Sequence, residues 1–324
     1  MTIVDSHAHI WGEGFLPSAF FRRSAELWAQ KSADRSPDMI MPKLLSGNVD
    51  TDGDDYVANM DRAGVDVSLM MMIDVGGPVF GEEPPTPVEA QIDFYGMVQK
   101  RHPGRLYCHV AIDYRREGHL ALIRRGIVEQ GLVGIGEITP DRFSAEDDAV
   151  RPMMKLAADL GVPVQIHTRS GIWTDIEGRD SSEANPAHPI HVARLARELP
   201  DLKIVLCHAG YPVWWQRAAE LIADLPNCVL DISNWNEHFA EDEGNLVARL
   251  ATWRSLVGAE RILFASDHAS GRRFTGERSH LPAWVEFVRN LPSNAARWGY
   301  HFTPQEAAAI MGANALRFYG LEGV

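Results

Sequence analysis

Residues 1–9 read Met1-Thr2-Ile3-Val4-Asp5-Ser6-His7-Ala8-His9. An apolar run opens directly onto two histidines separated by a single residue. Side chains repeat every second residue along an extended strand, so both imidazoles project to one side. They form half of a metal site at a strand end. The other half recurs further along, in Gln165-Ile166-His167-Thr168, Leu206-Cys207-His208-Ala209-Gly210 and Ala265-Ser266-Asp267-His268. Each of these also stands where a short apolar run ends.

Those runs belong to a regular alternation. Strands are expected at 2–4, 67–73, 106–112, 133–138, 162–167, 203–208, 229–232 and 261–266. Amphipathic stretches at 54–64, 88–101, 117–130, 148–160, 190–199, 214–223, 246–257, 281–290 and 304–318 carry helical periodicity, several of them stopped by Gly or Pro. Eight strands, each followed by a helix, are what a (β/α)8 TIM barrel requires, with its site at the C-terminal ends of the strands. The Val-, Ile-, Leu- and Met-rich strands suit a parallel sheet covered on both faces. One domain over residues 1–324 is expected, with insertions at the barrel mouth near 11–52 and 169–189. The first insertion predicts neither a strand nor a long helix, and is expected either to cap the site or to pack against another subunit.

Composition narrows the partners. A net charge of −13 argues against nucleic acid and leaves a small-molecule substrate as the expected partner. Three cysteines without close spacing read as reduced thiols in a cytoplasm. No signal peptide is expected ahead of the first strand, and no apolar run is long enough to span a bilayer.

His7, His9, Glu137, His167, His208 and Asp267 all fall at C-terminal strand ends, which a barrel gathers over a common mouth. Three or four histidines with carboxylates suit a divalent metal, zinc first and manganese as the alternative, as one or two ions. Among the aromatic residues, Trp11, Trp173 and Trp235 are expected on a ligand wall, whereas Trp214 and Trp215 are expected to pack the start of a helix. Arg169 and Arg272 are placed to grip a carboxylate, and Asn234 to hydrogen-bond a polar substituent.

This motif set resembles the amidohydrolase superfamily. Phe264-Ala265-Ser266-Asp267, Cys207-His208-Ala209-Gly210-Tyr211-Pro212 and the stretch from Ile310 to Leu321 resemble its amidohydrolase 2 branch, which includes aminocarboxymuconate-semialdehyde decarboxylase. The resemblance implies that His7, His9, His167 and Asp267 bind or adjoin the metal. It leaves His208 either a ligand or a hydrogen-bonding acid. Gly134-Ile135-Gly136-Glu137-Ile138 departs from the Gly-Ile-Lys-Leu-His-Pro pattern of many branch members and looks like the strand-four glutamate of TatD-like hydrolases. That leaves Glu137 bridging two metals, pairing with a barrel arginine or hydrogen-bonding a ligand histidine.

The implied activity is a hydrolase that directs a metal-activated water at a lactone, amide or related carbonyl of a small aromatic or carboxylated compound. Asp267 would shuttle the proton and His208 would polarise the carbonyl. Non-oxidative decarboxylation of an aromatic or muconate-type acid is the alternative, and a non-catalytic metal-binding barrel a third. By resemblance alone, a homodimer is expected.

Overall fold

The computed structural model describes residues 1–30, 34–47, 49–171, 180–239, 242–269 and 279–321. Nine parallel strands form its sheet among these residues. They are β1 (Val4–His9), β2 (Val67–Met71), β3 (Leu106–Val110), β4 (Gly134–Ile138), β5 (Val164–His167), β6 (Ile204–Cys207), β7 (Cys228–Asp231), β8 (Ile262–Leu263) and β9 (His268–Ala269). Their order is β8-β7-β6-β5-β4-β3-β2-β1-β9.

The expected eighth strand is divided in two. Within its expected span only β8 is regular and pairs with β7, and a second short strand just past the expected end, β9, pairs with β1. The last stave thus crosses from the seventh to the first and closes a TIM barrel. Asp5 locks that seam: it accepts hydrogen bonds from the Ser266 amide at 2.9 Å and the Ser266 hydroxyl at 2.5 Å. The division frees residues 264–267 from regular pairing and lets Asp267 turn into the mouth.

Helices cover the sheet. Those that follow the second, fifth and sixth staves are Val88–Arg101, Pro189–Glu198 and Trp215–Ile222, close to their expected spans. The inward side chains Val67, Leu69, Met71, Val205, Val229 and Leu263 fill the barrel interior together with Ala315 and Tyr319 of the C-terminal helix. Their neighbours Met70, Ile204, Leu206 and Leu230 face the surrounding helices, in the alternation that period two demands.

The mouth insertion differs from expectation. It holds two helices, Ser18–Gln30 and Pro37–Gly47. Phe20, Phe21 and Ala25 fall on one face of the first and bury it against Leu16, Ile40, Leu44 and Val75. The Glu82 carboxylate, brought by the loop after β2, accepts the Ser18 amide at 2.9 Å and hydroxyl at 2.8 Å, capping that helix from outside its own sequence. A cap donated from a distance leaves no local start signal.

Candidate metal centre and substrate cavity

Two irregular strands aim the side chains. Val4 lies inside the barrel, so strict alternation would turn His7 outward. The register of β1 shifts between Asp5 and Ala8, and His7 and His9 both face the mouth. On β4, Ile135 faces the helices and Glu137 would share that direction, but the register shifts between Ile135 and Ile138 and Glu137 turns inward. Gly136 permits this: a β-carbon there would stand 2.7 Å from the Gln165 β-carbon. His208, Asn234 and Asp267 all lie in the left-handed region, with φ of 64°, 66° and 54°. Such backbone costs energy and concentrates where a site over-determines it.

The result is two triangles of donors that share one carboxylate. In the first, the Nε2 atoms of His7 and His9 are 3.3 Å apart, and Asp267 Oδ1 lies 3.1 Å from His9 and 3.6 Å from His7. Glu137 Oε2 stands 3.5 and 3.6 Å from the same two nitrogens. In the second, Glu137 Oε1 lies 2.7 Å from His167 Nδ1 and 3.1 Å from His208 Nε2, which are 3.0 Å from each other. Donors that bind one ion at about 2.1 Å sit about 3.0–3.4 Å from one another.

The ring nitrogens are assigned by their outer partners. His9 Nδ1 donates to the Met71 carbonyl at 3.1 Å, and His7 Nδ1 donates to the Asp231 carboxylate at 3.0 Å. Both Nε2 atoms therefore present lone pairs to the mouth when the rings are neutral. Tautomers and donor spacing together fit a divalent cation.

Charge points the same way. Burial opposes ionisation of Glu137, but the imidazoles of His7 and His167 hold it well below the usual carboxylate range. Burial likewise opposes ionisation of Asp267, and the His9 hydrogen bond with the charges of His7 and His208 overrides it. Asp231 is lowered against its burial by His7. Burial lowers His208, only partly offset by Glu137. Burial alone would discharge His7, yet neighbouring Cys207 and the Glu137 and Asp231 carboxylates push it well above the imidazole range. A surplus of carboxylates draws a proton where a cation would supply the same compensation.

Asp231 escaped the sequence reading. It ends β7 fully buried, accepts the His208 amide at 2.9 Å and the Ser233 amide at 3.0 Å, takes the Ser233 hydroxyl, and orients His7. A charged residue closing an apolar run was its only signal. Asp231→Asn is expected to weaken divalent-metal affinity about 10–100-fold while the donors at the mouth remain, checked by competition with a chelating dye. Wild-type affinity would strip Asp231 of that role.

Above the donors lies a cavity of about 340 Å3. Its floor carries His9, Glu137, His167, His208 and Asp267. Trp11, Phe20, Leu27, Trp28 and Ile73 build an apolar wall, and Arg169 stands on the rim. Trp11 stacks at 27° to the His9 ring, 5.7 Å between centroids. The first insertion thus covers the site, one of the two roles its sequence left open, through a helix that its sequence did not predict.

Two residues expected to face the ligand, Trp235 and Asn234, are committed elsewhere. Trp235 is 0% exposed in the core, packed at 5.0 Å from the Tyr211 ring and 5.3 Å from Trp253. Its indole N–H donates to the His208 carbonyl at 2.8 Å. The left-handed turn at Asn234 swings Trp235 away from the mouth. Asn234 itself is spent on protein partners: its amide donates to Asp267 Oδ2 at 2.8 Å and accepts from Arg169 at 3.2 Å. Trp173 and Arg272 lie outside the described residues.

The sequence matches the family model described as amidohydrolase over residues 4–321. The chain belongs to the amidohydrolase family. No curated protein matches it. Among solved structures, it resembles 5-carboxyvanillate decarboxylase from Sphingomonas paucimobilis, with 18% identity, a TM-score of 0.68, and coverage of 98% of this chain and 99% of that one. It also resembles a dihydroxybenzoic acid decarboxylase from Polaromonas sp. JS666 with bound manganese and the inhibitor 2-nitroresorcinol, at 18% identity and TM-score 0.66, covering 99% and 97%. A third likeness is to a probable 2-pyrone-4,6-dicarboxylic acid hydrolase from Acinetobacter baumannii with citric acid bound, at 12% identity and TM-score 0.60, covering 99% and 100%. These similarities speak for the fold. No helix among the described residues is long and apolar enough to cross a membrane.

Proposed function

We propose that the protein is a divalent-metal-dependent decarboxylase of an aromatic hydroxy acid. The observation that carries this reading is the two-faced cavity, with imidazole and carboxylate donors on its floor and an aromatic and aliphatic wall above them. The decarboxylases among the structural neighbours support it, and they move decarboxylation ahead of the hydrolysis expected first from the sequence.

His7, His9 and Asp267, with Glu137, would hold the ion, which would supply Lewis acidity to the oxygens of the substrate. Manganese leads, by likeness to the manganese-bearing neighbour, and zinc comes second. Trp11 and Ile73 orient the ring, and Arg169 faces an anionic substituent. Asp267, ionised in the resting protein, takes the phenolic proton as the acid enters. As the bond between ring and carboxyl breaks, its electron pair passes to the ring carbon and CO2 leaves. Asp267 returns the proton to that carbon. His208 donates or accepts at the substrate oxygen nearest its Nε2.

Release of CO2 from a panel of hydroxybenzoates by the manganese-loaded protein tests the reading. Consumption of lactones or amides without CO2 release would replace it with hydrolysis. That second reading has its own support in Glu137, whose two oxygens each face one donor triangle. If Glu137 serves two ions, Glu137→Gln should cut metal per chain about twofold by plasma emission, as expected of a lost shared carboxylate. Unchanged stoichiometry would confine Glu137 to hydrogen bonding.

A further inference from the structure

Asn234 was expected to touch substrate, but the residue is only a few per cent exposed and its amide is committed. Nδ2 donates to Asp267 Oδ2 at 2.8 Å and stands 2.8 Å from His208 Nδ1. Oδ1 accepts from Arg169 Nη1 at 3.2 Å. The orientation of the amide is forced. Turned over, its oxygen would face the Asp267 carboxylate and its NH2 group would face the guanidinium, both repulsive. The Arg169 guanidinium also lies over the Tyr211 ring, 5.0 Å from the centroid. An arginine gripped from two sides has spent its rotamer freedom before any ligand arrives.

We infer that Asn234 is a positioning residue that fixes the Arg169 guanidinium as a preset carboxylate subsite and holds it in register with Asp267 at the metal end of the cavity. One rigid amide spans the two groups, so a ligand's anionic substituent and its reacting end are located relative to each other by a single side chain. This rests on the reading of Arg169 as an anion grip and not on which reaction the site performs.

The test compares two probes on the manganese-loaded protein by calorimetry, 4-nitrobenzoate and its uncharged methyl ester. Their affinity ratio measures carboxylate preference. A merely structural role for Asn234 would weaken both probes together and leave the ratio alone. Asn234→Gly suits the left-handed backbone, at φ 66°, and removes the amide without new strain. It is expected to lower the ratio about tenfold, the scale of one charge-assisted contact. Arg169→Met is expected to lower it at least as far, and Asn234→Gly added to Arg169→Met should lower it no further. Asn234→Asp, which also accepts this backbone, should abolish the preference, because its carboxylate claims Arg169 for itself. Melting temperatures verify folding of each variant. A ratio unchanged in both Asn234 variants, or effects of Asn234→Gly and Arg169→Met that simply multiply, would overturn the proposal, as would a wild-type ratio near one. Absence of CO2 release with the ratios as expected would instead sink only the proposed reaction.

Discussion

Asp267→Asn is expected to lower kcat by about 10³-fold, the scale of losing a positioned proton carrier, while the fold and most of the bound metal persist. The replacement isolates charge from shape. Asparagine tolerates the left-handed backbone that Asp267 adopts, at φ 54°, and retains an oxygen towards His9. What it lacks is a carboxylate able to take a proton from the substrate and return it. The surrounding imidazoles, which hold Asp267 ionised at rest, would then face an amide that cannot take up a proton at this position. Metal analysis alongside turnover separates the two roles of this side chain. A kcat within a few-fold of wild type would remove Asp267 from the chemistry. Loss of metal in proportion to activity would make it a ligand and no more.

Trp235→Ala should have the largest effect on stability, about 3–5 kcal/mol, from the cavity left by a fully buried indole. Tyr211, Trp253 and the Arg249 guanidinium, 4.9 Å from the ring, surround it and cannot close that space without moving the β7 turn. Trp235→Phe keeps most of the packing and forfeits mainly the hydrogen bond to the His208 carbonyl, so about 1–2 kcal/mol is expected. Urea unfolding measures both. A tryptophan on the substrate wall would behave in the opposite way, with ordinary stability and a raised KM. That outcome would return Trp235 to the cavity.

The contrast between Trp235 and Trp11 shows how far local sequence reaches. Both come just after strand ends and both are aromatic, yet Trp11 stacks on His9 at the cavity and Trp235 points into the core. The difference lies in backbone conformation: Asn234, in the left-handed region, turns the chain so that the Trp235 side chain leaves the mouth. The same limit applies to Glu137, whose inward aim depends on a register shift that strand periodicity would have denied.

Asp231 and the Ser18–Gln30 helix were missed for a related reason. Each is defined by partners far along the chain, Asp231 by His7 and His208, and the helix by the Glu82 cap and by Phe20 and Leu27 facing the cavity.

The alternation of strands and helices, and so the barrel, was legible in the order of residues alone. So was the placing of His7, His9, His167, His208 and Asp267 at strand ends, because periodicity and punctuation are local properties of the chain. Which side chains meet was left to the folded molecule. The fold brings Glu137 between two sets of donors, lends Asp231 to His7, and spends Asn234 on Arg169 and Asp267. Those pairings depend on where bulges, left-handed turns and the split eighth stave aim each side chain, and such aims are settled by contacts between residues far apart along the chain.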